Sequence, residues 1–212
     1  SMVLKIKNYG FIIENYGSLL MVNSQFIFSQ VLFLSNVQVI LIKESSINSR
    51  MVCVPLMNII KSKFLLAVNL IVRKDHLRYC NEIKTRPQIN IYGLNRFIIY
   101  KSYFINVHNI KMTNVNELMI YHSVFKKCSC ALSVIGNYYN NIEVFLLKTQ
   151  FLSCSYRSQS SCMNITFIVR KEKEKNISES TTCYIMLNEV VFISASSWET
   201  DSGASSALSV FT

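Results

Sequence analysis

Apolar and polar positions along this chain repeat in a recognisable frame. Over LMIYHSVF (118–125) the order is apolar, spacer, apolar, two spacers, hydroxyl, spacer, phenylalanine. The same frame returns in LLMVNSQF (19–26), MNIIKSKF (57–64), FIIYKSYF (97–104) and VFLLKTQF (144–151), with weaker copies in ILIKESSI (40–47) and YIMLNEVV (184–191). The hydroxyls Ser24, Ser45, Ser62, Ser102, Ser123 and Thr149 stand 21, 17, 40, 21 and 26 residues apart, and the interval of 40 reads as two periods with one copy eroded. Alternating apolar positions over three to five residues predict short strands. No segment sustains the 3.6-residue period of an amphipathic helix, and the β-branched and aromatic content would serve a helix poorly.

A unit of about twenty residues cannot close a core alone, so such units stack on their neighbours. Stacking puts like positions one above another at about 4.8 Å, the distance between paired strands. Phe26, Phe64, Phe104, Phe125 and Phe151 are then expected to form an internal aromatic stack. The residues before the hydroxyls, Lys61, Lys101, His122 and Lys148, fall at a bend and are expected to face outward as a cationic row.

MVNSQF, CALSVI (130–135) and SGASSALSVF (202–211) give the chain a resemblance to the right-handed parallel β-helix of the pectin-lyase-like kind, whose coils read apolar-x-apolar-x-Asn-Ser-x-Phe. The resemblance implies an all-β solenoid over residues 1–212, of eight or nine coils of roughly 21–26 residues. It also points to the secreted or cell-surface proteins built of such repeats. A β-sandwich or barrel would suit the short strands but not the phased copies. Leucine-rich repeats would need a regular Leu/Asn consensus. The charged run RKEKEKNISESTT (170–182) is expected to be a loop thrown out between coils, and the lack of a polar terminal segment suggests a fragment without caps, continued by further coils of the same chain.

Composition changes this picture in three respects. Gly and Pro number only 5 and 2, so the bends must be made by the 20 Asn, which tolerate left-handed backbone, and by Ser and Lys. Net charge is +10, a bias towards anionic partners: polysaccharide, lipid or nucleic acid. Nucleic acid is disfavoured, because the aromatics sit in the inward frame and no recognition motif is present. The uncharged stretch 18–42 carries too many Ser, Asn and Gln for a membrane span. Seven cysteines without zinc spacing, with sequons at Asn164 and Asn176, suggest a secretory, extracellular setting.

Candidate chemistry is sparse, and neither a metal nor a cofactor is implied. Two aspartates 126 residues apart, Asp75 and Asp201, cannot build the Asp clusters that the resemblance would bring from polysaccharide-cleaving enzymes. Arg96, Glu117 and Glu143 fall at one repeat position. Two stacked carboxylates could act as an acid and nucleophile pair with His122 assisting, or form a surface ladder with Arg96. Cys128 and Cys154, each three residues after a phenylalanine, would stack within disulfide range or remain a reduced buried column. The expected function is a non-enzymatic scaffold and recognition surface, with a basic face for anionic polysaccharide or a partner protein. The alternative is a polysaccharide-acting hydrolase or lyase using Glu117 and Glu143.

Overall fold

The computed structural model describes residues 5–7, 10–28, 31–49, 55–74, 88–137, 141–154, 163–168, 183–193 and 208–211. Among these residues the chain is all-β, with a thirteen-stranded and a seven-stranded sheet. Every pairing is parallel except that of Lys5–Lys7 with Gly10–Glu14. Parallel pairing of successive chain segments is compatible with a β-helix.

The strands stack in three columns. The first runs upward from Gly10–Glu14 through Val31–Ser35 and the leading halves of Met57–Val68, Ile89–Tyr100 and His108–Tyr121, to Ser129–Asn137, Met163–Ile168 and Leu208–Phe211. The second holds Ser18–Val22, Val39–Lys43, the trailing halves of the same long strands, Ile142–Leu147 and Cys183–Asn188. The third, the seven-stranded sheet, runs from Gln25–Phe28 to Val191–Ile193. One strand segment from each column makes a rung.

Corners between columns are made by residues in the left-handed region, and these residues also stack. Asn15, Asn36, Lys61, Gly93 and Asn114 (φ 53–68°) turn the chain from the first column to the second. Asn23, Glu44, Asn69, Lys101, His122, Lys148 and Glu189 (φ 48–52°) turn it from the second to the third. Asn106, Lys127 and Ser153 close the third. At the second corner each backbone N–H donates to the carbonyl just before the corner one rung higher: Asn23 to Lys43, Glu44 to Val68, Asn69 to Tyr100, and so on to Lys148 with Asn188. Asparagine suits this conformation because its short amide bonds locally, and Asn36 Nδ2 donates to Asn15 Oδ1 at 3.0 Å.

This register corrects the phase of two repeat copies. MNIIKSKF is not equivalent to the others: Met57 pairs with Leu32 and Ile89 in the first column, and the true second-column copy is 65–72. Lys61 therefore belongs to the first corner, and Phe64 faces Val39 and Arg96 rather than joining the aromatic stack. The weak copy 184–191 slips by one residue, because Ile185 pairs with Val144 and Phe192 with Phe151. The interval of 40 hides no eroded copy: Ile89–Tyr100 bonds directly to Met57–Val68, and the intervening repeat is 32 residues long.

The core follows from alternation. Leu19, Ile40, Leu65, Phe97, Leu118 and Val144 stack in register and are all buried. In the third column, Ile47, Val72, Phe104, Phe125, Phe151 and Phe192 form one file, whose four phenylalanines lie nearly parallel with centroids 4.8, 5.0 and 4.8 Å apart. Phe26 continues that file at the backbone level through its pairing with Ile47.

Buried hydroxyls tie the rungs together just after the second corner. Ser102 Oγ donates to the Tyr100 carbonyl (3.0 Å) and accepts from Leu70 N–H (3.1 Å). Ser123 Oγ donates to Tyr121 and accepts from Ser102 N–H (3.1 Å), and Ser45 does the same for Lys43 and Ser24. Ser62, at the other corner, stacks among Val37, Leu94 and Val115, and its Oγ is buried without a hydrogen-bond partner.

Candidate recognition surface

Lys101, His122 and Lys148 occupy successive rungs of the second corner, and all three are exposed. Lys101 Nζ lies 5.2 Å from the Tyr100 ring centroid, and His122 meets the same ring edge-on at 5.8 Å. Tyr100 and Tyr121 pair in register beside this corner. Three rungs place the outer cations roughly 10 Å apart. Asn69 stands directly below the run at the same corner, with Glu44 one rung lower, and Glu189 stands above, 3.8 Å from Lys148 Nζ. Lys61 lies at the other corner, next to Gly93, and does not extend the row.

Arg96, Glu117 and Glu143 do stack, in that order. Arg96 Nε donates to a Glu117 carboxylate oxygen, so the cation neutralises the carboxylate beside it. Glu117 to Tyr121 is extended strand, about 13 Å long, and His122 lies beyond its end at the corner, which is too far to assist Glu117. Among the described residues no group of three or more His, Cys, Asp or Glu converges.

Cys128 and Cys154 follow the third corner on successive rungs, in the column that Val107 occupies one rung lower. Both are buried thiols outside any disulfide: each donates to a phenylalanine carbonyl of the rung below, Cys128 to Phe104 (3.4 Å) and Cys154 to Phe125 (3.3 Å). Burial, and then the adjacent Cys154, push the Cys128 thiol well up, which suits a small hydrophobe rather than a nucleophile. Asn164 lies within Met163–Ile168, paired through its backbone with Ser133 and Ser209. Asn176 and the charged run 170–182 lie outside the described residues.

The feature that the repeat frame did not reveal is the outer face of the second column. Its central outward row is Leu20, Leu41, Leu66, Ile98, Met119, Phe145 and Met186, all in register. Leu20 and Met186 are 65% and 46% exposed, and the five between them are half-buried by one another. Val68, Tyr100, Tyr121 and Leu147 flank the row on one side, with Val39 and Phe64 on the other. The signal was present as unbroken apolar runs, LMIY, FIIY and VFLL, which mark strands covered on both faces. The neighbouring first column differs, with Asn58, Asn90, Lys111 and Ser133 in its outward row.

Compared with family models, curated proteins and solved structures, the chain matches none. Among the described residues no helix is long and apolar enough to cross a membrane.

Proposed function

We propose that this chain is a right-handed parallel β-helix of an extracellular or cell-surface protein, acting as a rigid, non-enzymatic recognition scaffold for an anionic polysaccharide. The observation that carries this reading is the placement of Lys101, His122 and Lys148 on successive rungs beside Tyr100 and Tyr121. Stacked tyrosines offer apolar surface for sugar rings, while cations spaced at the strand repeat suit carboxylate or sulfate groups. Glu44 and Glu189 limit the site to a short acidic stretch of glycan. Binding is favoured over hydrolysis because Arg96 holds Glu117 and His122 is remote from it. The test is retention on a heparin-like polymer at low salt. Lys101→Glu combined with Lys148→Glu should abolish retention, and unchanged retention would sink the proposal. Glycosylation of Asn176 on secretion from eukaryotic cells tests the extracellular setting.

A further inference from the structure

The outer face of the second column is built like the inside of a protein, and among the described residues nothing covers it. Strands that are apolar at every position belong to sheets covered on both sides, because each face then removes apolar surface from water. Here the inner face packs into the core, while the outer face meets no other described element. Seven strands span roughly 30 Å, and the outermost outward rows stand roughly 13 Å apart, a face of roughly 400 Å² that is apolar except where Ser18, Lys43, Arg96, Glu117, Glu143 and Asn188 interrupt its edge rows. Its apolar part, about two-thirds of that area, falls at the lower end of the largest apolar patches that monomers expose, which are often functional.

Charge decides what kind of surface would cover it. The chain as a whole carries +10, but around this face the carboxylates Glu44, Glu117, Glu143 and Glu189 are interleaved with as many cations, Lys43, Arg96, Lys101 and Lys148. A mixed rim around an apolar centre fits a protein interface. An anionic lipid surface would instead favour a uniformly basic rim. Regular register adds a second argument, since a flat in-register sheet is matched best by another such sheet packed at about 10 Å.

We infer that the face is covered by a second copy of this chain, related by a two-fold axis parallel to the direction in which the rungs stack. About that axis the central row meets itself, so Ile98, Met119 and Phe145 lie against their counterparts. The flanking rows exchange sides at constant height. Glu143 and Lys148, at opposite ends of the same strand segment, then face Lys148 and Glu143 of the second copy, forming two ion pairs. Two such faces bury roughly 800 Å² in total, below the usual range of stable specific interfaces, so association is weak and concentration-dependent rather than permanent. Tyr100, Tyr121 and Lys148 also serve the glycan reading, so a second copy and a glycan would compete for this edge, whereas Met119 belongs to the dimer face alone.

Sedimentation equilibrium of the full chain tests it. The mass-average should climb from one chain towards two across the micromolar range. Met119→Asp sets two carboxylates against each other on the axis and should lower the association constant at least about tenfold, since like charges in contact disfavour pairing. Tyr92→Asp, on the outer face of the first column, should leave it unchanged. Glu143→Lys and Lys148→Glu should each weaken association, and the doubly reversed chain should recover it. Circular dichroism shows that each variant is folded. A chain that stays monomeric at every concentration overturns the proposal, as does equal weakening by Met119→Asp and Tyr92→Asp. Failure of the double reversal overturns the arrangement. Binding of a monomer to phosphatidylserine vesicles, lost in Met119→Asp, would assign the face to lipid instead.

Discussion

Two serines with the same local sequence should respond in opposite directions to the same substitution. Ser62 and Ser102 both follow a lysine in the left-handed conformation, and both are buried. In Ser102→Ala, the Tyr100 carbonyl keeps the hydrogen bond from Asn69 N–H (3.0 Å), but Leu70 N–H loses its acceptor. Leu70 is itself buried, so water cannot replace the hydroxyl. An orphaned buried donor costs about 1–3 kcal/mol. For a chain of this length, that lowers Tm by roughly 2–4 °C per kcal/mol. In Ser62→Ala the lost hydroxyl has no partner, and its neighbours Val37, Leu94 and Val115 are apolar. Removing it relieves desolvation that nothing offsets, so the variant should be about 1 kcal/mol more stable. Ser102→Thr should be nearly silent, because Thr149 already fills an equivalent slot and donates to Leu147. Urea unfolding reads the difference as opposite shifts of midpoint at constant slope. Shifts of the same sign, or none for Ser102→Ala, would refute the hydroxyl-ladder argument.

Phe125→Ala removes a fully buried ring stacked between Phe104 and Phe151, and should destabilise by about 3–5 kcal/mol in the same unfolding assay. Lys61→Asn places the residue type best suited to φ 53° between Asn36 and Gly93, and should stabilise by up to about 1 kcal/mol in thermal unfolding. Burial lowers the Lys74 ammonium to about 8 from its ordinary 10.5. Between those values the unfolded chain binds the proton that the folded chain has released, so stability contributed by this residue rises with pH from about 8 to 10.5 and is lowest below 8. Unfolding measured across pH should show that rise in the wild type and a smaller one in Lys74→Met. Differential thiol labelling of the native and unfolded chain should find Cys128 and Cys154 slow to react until unfolding exposes them, given their burial.

Strand content, parallel stacking and the inward aromatic file were legible in the sequence, because period-2 alternation and a recurring Phe register directly with burial. The row Lys101, His122 and Lys148, and the stack Arg96, Glu117 and Glu143, were likewise fixed by the spacing of copies that happened to be in phase. Lys61-Ser62-x-Phe64 misled, since two different corners use a left-handed residue followed by a buried one, and a local motif cannot say which corner it makes. Only the hydrogen bonds from Met57–Val68 to the strands on either side decide that. The same limit explains the outer face. An unbroken apolar run such as LMIY states that both sides of a strand avoid water, but not what lies on each side. The fold supplies a core for Leu118 and Ile120 and leaves Met119 facing outward. Sequence by itself determined which residues avoid water and at what period. Tertiary structure decided which of them meet one another, because pairing between rungs depends on loops whose lengths vary from repeat to repeat and carry no periodic signal.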